Sequence, residues 1–129
     1  MSAKTYLPTD EPSPESQIGA TIESLYATIE DRFDADASSY THRLLTGDLD
    51  TCVKKVMEEA GEVALAAKDG ECDHLRYEAA DVFYHLLVVL ARFDIPLDEL
   101  AAELNVRMRD DELPKGAIRL HDEYVKRGK

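Results

Sequence analysis

A chain of 129 residues fits one domain, and a hydrophobic content of 44% is enough for a real core. With 15 lysines and arginines against 27 aspartates and glutamates, the net charge of −12 argues against a nucleic-acid polymer or an anionic membrane surface as partner. The longest apolar run, 82–91 with His85 inside it, is too short to span a bilayer, and residues 1–16 lack the order of a signal peptide, so a soluble cytoplasmic protein is expected.

Residues 1–17 hold three of the five prolines among Ser, Thr and Glu, a composition that cannot bury enough surface to order itself, and read as a flexible arm. The stretch 18–33 then places Ile18, Ile22, Leu25, Tyr26, Ile29 and Phe33 on one side of a first helix. A break at 34–39 precedes a short helical turn at 40–45, and Thr46, Gly47 and Asp48 break the pattern again. Cys52 and Cys72 show no CxxC spacing and read as reduced thiols.

A third helix starts with Asp48 or Asp50 as N-cap and runs to Asp69, with Gly70 as its stop. At about 100° per residue, Val53, Val56, Met57, Ala60, Val63, Ala64 and Ala67 share a stripe that reads as core. The fourth helix begins near Asp73 and ends before Pro96. From Val82 onward it is apolar right round, so it should be covered on all faces. A fifth helix at 97–108 follows, and a charged tail at 117–129 forms a short last one. No segment alternates like a strand. The expected architecture is an all-α helical bundle: an arm at 1–17, a domain at 18–112 and a tail at 113–129. The encircled fourth helix needs more neighbours than this chain supplies, so a homodimer is expected.

The chemistry lies in two acidic groups. On the third helix, Glu58, Glu59 and Glu62 stand at i,i+4 and i,i+3 spacings and converge on a patch facing away from the apolar stripe. Taken alone they read as a solvated face, with Lys54 and Lys55 offering ion pairs to Glu58 and Glu59. On the fourth helix, Glu78 and Asp81 interrupt an apolar segment, where an unpaired ionised carboxylate is costly, and His85 continues their stripe. If the two helices face each other across the loop about Gly70, both groups enclose one space suited to Mg²⁺ or Mn²⁺. The plainer alternatives are a buried pair neutralised by Arg76 or Arg43, and a His85 that is a satisfied core histidine. A carboxylate-bridged di-iron site needs Glu-x-x-His twice, and the chain offers it once, at Glu71 and His74. The phosphate loops GxxxxGK[ST] and GxGxxG are absent.

EExxE, fifteen intervening residues and ExxD together resemble the signature of the all-α, MazG-like nucleotide pyrophosphohydrolases. Within that group SYTHRLL at 39–45, EEAGEVALAAKDG at 58–70 and YEAADVFYHLLVVLA at 77–91 are similar to the phosphoribosyl-ATP pyrophosphatases of histidine biosynthesis. The resemblance implies a homodimeric helical bundle and Mg²⁺-dependent hydrolysis of phosphoribosyl-ATP to phosphoribosyl-AMP and pyrophosphate. It implies Glu58, Glu59, Glu62, Glu78 and Asp81 as metal-binding carboxylates, with Glu59 or Glu62 taking a proton from water. Lys55 and Lys68 are the expected holders of phosphate oxygens, with Arg43 and His85 beside the substrate. Related chains are often fused to a zinc-binding cyclohydrolase domain; nothing here matches it, so a stand-alone pyrophosphatase is expected. Gly61, giving EEAGE, is closer to the branch that cleans up ordinary nucleoside triphosphates, so such a housekeeping pyrophosphatase is the alternative. A non-catalytic acidic helical adaptor is the alternative of another class.

Overall fold

In a computed structural model, residues 6–7 and 16–125 are described. The elements are α1 (Ile18–Asp31) with a 3₁₀ turn (Arg32–Asp34), α2 (Tyr40–Thr46), α3 (Leu49–Asp69), α4 (Cys72–Arg92), α5 (Leu97–Asn105), a second 3₁₀ turn (Asp110–Glu112) and α6 (Asp122–Val125). Strands are absent among the described residues, so the chain is all-α. Most of the expected arm, and the end of the expected last helix at 126–129, fall outside the described residues. No described helix is long and apolar enough to cross a membrane.

Local chemistry sets the bounds of the two long helices. Asp48 caps α3 by accepting from the Thr51 backbone N–H at 3.0 Å and the Thr51 hydroxyl at 3.1 Å. At its other end Gly70 takes φ +70, a left-handed conformation that side-chain-bearing residues rarely adopt. The N–H groups of Gly70 and Glu71 then bond back to the carbonyls of Ala67 and Ala66, which ends the helix and turns the chain. So α4 returns antiparallel along α3. At its far end Arg92 donates to the carbonyls of Leu44 and Gly47, at 2.7 and 2.6 Å, and ties α2 down.

The core lies where α1 and α2 cover one side of the α3–α4 hairpin. Tyr26, Ile29, Leu44, Leu45, Leu87 and Val88 are buried together with Cys52 and Ala91. Because Leu87 is only 2% exposed, Leu87→Ala is expected to lower unfolding free energy by about 2–5 kcal/mol in a denaturant titration. A cost below 1 kcal/mol on that scale would show that this contact region is loose.

The orientation of α3 differs from the expectation. Cys52 and Ala66 are its buried apolar residues, and Val53, Val56 and Val63 are only partly covered. Met57, Ala60, Ala64 and Ala67 are exposed. The reason is that α4 lies against the side of α3 that carries Cys52, Glu59 and Ala66, which turns the apolar stripe toward an open face. On α4, expected to be enclosed, Phe83 and Leu86 are also exposed. Apart from its chain neighbours and the backbone of its own helix, nothing among the described residues lies within 4 Å of where a Cβ on Gly61 would stand. The fifth helix stops at Asn105, whose side-chain amide donates to the Ile118 carbonyl at 2.9 Å and anchors the tail.

Candidate metal centre on the α3–α4 seam

The antiparallel hairpin sets the two acidic groups opposite each other. One turn forward on α3, from Glu59 to Glu62, corresponds to one or two turns back on α4, from Asp81 through Glu78 to His74. Two overlapping groups of donor atoms result, each within 4.8 Å of one another: Glu59, Glu78 and Asp81, and Glu62, His74 and Glu78. Glu78 belongs to both. It is 8% exposed, Glu59 and Asp81 are half-buried, and Glu62 is exposed.

Electrostatics marks Glu78 as the strained member. Its Oε1 lies 3.2 Å from His74 Nε2, while its Oε2 is buried with no hydrogen-bond partner. The carboxyl of Glu59 beside it pushes the Glu78 carboxyl up from the usual range; burial and the charge of Asp81 act the same way, and His74 opposes them. The same contact holds Glu59 down, helped by Lys55 and His85. Two neighbouring carboxyls beside an unpartnered buried oxygen are an arrangement that a divalent cation relieves. The donors are mainly hard oxygens, which fits such an ion.

The other sequence-predicted residues are distributed unevenly. Glu58 is exposed and belongs to neither donor group; Lys54 and Lys55 hold it at 3.8 and 3.3 Å. Lys55 also reaches Glu59, at 3.6 Å, and is the basic side chain brought to the site. Lys68 is exposed in the last turn of α3, about 120° round the helix from Glu62. Arg43 donates to the Ala37 carbonyl at 2.7 Å and lies over the Tyr40 ring. Arg76 pairs with Asp73, so neither arginine neutralises Glu78; the side chain beside that carboxyl is His74. His85 is buried and bonded at both nitrogens, Nδ1 donating to the Asp81 carbonyl at 2.9 Å and Nε2 lying 3.2 Å from the Tyr40 hydroxyl. A core histidine satisfied by its neighbours has this geometry.

Sequence reasoning weighed His74 only with Glu71, as half of a di-iron motif, and missed Tyr40. The signal for His74 was present in its i,i+4 spacing to Glu78, which puts both on one stripe of α4. Tyr40 had no such signal, because only the packing of α2 on α4 brings its hydroxyl to His85. A cavity of about 600 Å³ lies elsewhere, between the far end of α4, α5 and the 118–124 segment.

Comparisons with known proteins agree on one family. The family model described as phosphoribosyl-ATP pyrophosphohydrolase matches residues 22–108. A protein of Roseobacter denitrificans named phosphoribosyl-ATP pyrophosphatase is 49% identical over 88 residues, covering 67% of this chain and 84% of the relative. One of the same name from Halobacterium salinarum is 47% identical over 90 residues, covering 67% and 95%. The histidine biosynthesis bifunctional protein HisIE of Thermus thermophilus is 42% identical over 96 residues, which span 74% of this chain and 45% of that protein. With its two acidic motifs facing each other and two thirds of its length matched, the chain belongs to the phosphoribosyl-ATP pyrophosphohydrolase family.

Proposed function

We propose that this chain hydrolyses phosphoribosyl-ATP to phosphoribosyl-AMP and pyrophosphate, a step of histidine biosynthesis in the cytoplasm, with Mg²⁺ or Mn²⁺ at Glu59, Glu78 and Asp81. The observation that carries the metal is the buried, unpartnered Oε2 of Glu78 beside two further carboxylates. The family carries the substrate.

Bound there, the cation supplies charge neutralisation for the triphosphate and lowers the pKa of a coordinated water. The protein's own groups do the rest. Glu62, exposed at the edge of the site, keeps an oxygen open to solvent and takes the proton of the water that attacks the α-phosphorus. Lys55 exchanges its carboxylate partners for phosphate oxygens as the substrate enters, and Glu58 holds its ammonium in position meanwhile. Arg43 and Lys68, both exposed, meet the outer parts of the substrate. His85 acts through Tyr40, whose hydroxyl it orients, since both of its nitrogens are engaged. Two copies pair through the exposed apolar residues of α3 and α4, completing a four-helix bundle.

A panel assay of pyrophosphate release tests this reading. Release is expected from phosphoribosyl-ATP, at least about a hundredfold faster than from ATP, dATP or dCTP, a preference worth about 2.7 kcal/mol in the transition state. A chelator should stop it reversibly. Equal turnover of ATP would assign the chain to housekeeping of nucleotide pools, and no release from any nucleotide would leave an acidic adaptor.

A further inference from the structure

Tyr40 is fixed more firmly than the packing of α2 requires. Thr41 bonds with the Tyr84 hydroxyl, and Arg92 donates to the carbonyls of Leu44 and Gly47, so α2 is already tied to α4 at both ends. Tyr40 adds a further tie, through a hydroxyl 3.2 Å from His85 Nε2, although the residue is 44% exposed and lies outside the buried core. The direction of that bond decides what the hydroxyl can do. The Asp81 carbonyl only accepts, so His85 Nδ1 carries the ring proton, and Nε2 of the neutral imidazole accepts from Tyr40. With its proton committed, the phenol oxygen is left as an acceptor, and among the described residues nothing else bonds to it. Arg43 covers one face of the ring, 5.8 Å from its centre, so the hydroxyl is the group best presented to a ligand.

That hydroxyl lies on the Lys55 side of the seam. The hydrogen bond to Glu58, and after it Tyr40 and Glu59, hold the Lys55 ammonium above its usual range. His85 stands one turn of α4, about 5.4 Å, beyond Asp81. The ribose of a nucleotide is joined directly to the α-phosphate, so with that phosphate at Glu59, Glu78 and Asp81 the sugar comes within reach of Tyr40. Its hydroxyls are donors, which an acceptor takes; phosphate oxygens only accept and gain nothing there.

We propose that Tyr40 accepts a hydrogen bond from a hydroxyl of the ribose that carries the triphosphate, with His85 as the positioning residue that makes its hydroxyl an acceptor. The proposal rests on the reading of Glu59, Glu78 and Asp81 as a cation site for a nucleotide. It makes the sugar, which contacts to metal and phosphate do not read, part of what the site selects.

The test uses the full chain with Mg²⁺ and the α,β-methylene analogue of phosphoribosyl-ATP, in which the bond to be cut is replaced, together with analogues lacking the 2′ or the 3′ hydroxyl of that ribose. Titration calorimetry gives the dissociation constants. In the wild type, removal of one of the two hydroxyls is expected to weaken binding by about fivefold or more. In Tyr40→Phe the parent analogue should weaken by a similar factor, and the same deletion should then cost less than about twofold, because the contact can be lost only once. Circular dichroism should be unchanged, since Tyr40 lies outside the buried core. Two deoxy analogues that bind the wild type as tightly as the parent overturn the proposal, and so does a Tyr40→Phe variant that keeps the full wild-type preference. A variant that binds no analogue overturns it too, because losing one hydroxyl leaves the contacts to phosphate in place. Failure of the parent analogue to bind the wild type in Mg²⁺ overturns the cation-site reading itself.

Discussion

Glu78→Gln is expected to stabilise the metal-free protein at pH 7 and, in the same molecule, to lower pyrophosphate release by roughly 10³-fold. The two effects have one cause. Glu78 is held above the usual carboxylate range by Glu59, by burial and by Asp81, so the folded chain binds this proton more tightly than the unfolded chain does. Its contribution to stability is therefore fully present below the unfolded value, about 4.3, and is lost as pH rises through the raised folded value. Glutamine has no charge to lose, and its amide can donate to Glu59, whose own carboxyl is lowered by that contact. The thermal midpoint of the variant should exceed that of the wild type at pH 7, and the difference should shrink as the pH falls toward 4. Because the two groups shift each other, the pH profile belongs to the pair.

With Mg²⁺ present, the order should reverse. A ligand that binds only the folded state stabilises it by mass action, so the wild type gains where the variant gains little. Loss of a cation that contributes several kcal/mol to the transition state accounts for the fall in turnover, at a factor of ten per 1.4 kcal/mol. A variant that turns over at the wild-type rate would remove Glu78 from the site, and a variant less stable than the metal-free wild type at pH 7 would contradict the electrostatic picture.

What was legible in the sequence was whatever local chemistry decides. Asp48 and Gly70 define α3 because a cap and a left-handed turn are properties of single residues. Glu59, Glu62, Glu78 and Asp81 were identifiable because helical spacing puts them on stripes, and a tight turn at Gly70 brings those stripes together. The direction α3 faces was not legible. Periodicity locates an apolar stripe but does not say what covers it, and here α4 covers the neighbouring side. Glu58 was grouped with its neighbours by motif, yet its position on the helix gives it to Lys54 and Lys55. Tyr40 depends on a contact across 45 residues of sequence, which no local pattern carries.

Converting the outward apolar face to charge should separate the proposed dimer without unfolding the chain. Met57 is 76% exposed and Phe83 49%, so a glutamate at either place costs a single chain little. Within a dimer the same change buries a charge without a partner, which costs several kcal/mol and is enough to shift association by orders of magnitude. The double variant Met57→Glu, Phe83→Glu is expected to sediment as a monomer at concentrations where the wild type is a dimer, with unchanged helical content. Gly61→Ala refines the result. Nothing among the described residues opposes the new methyl group, so the substitution should add about 1 kcal/mol of helix stability to a monomer. A loss of dimer in that variant would place the partner's backbone against Gly61, whereas a double glutamate variant that still sediments as a dimer would move the interface away from α3 and α4 altogether.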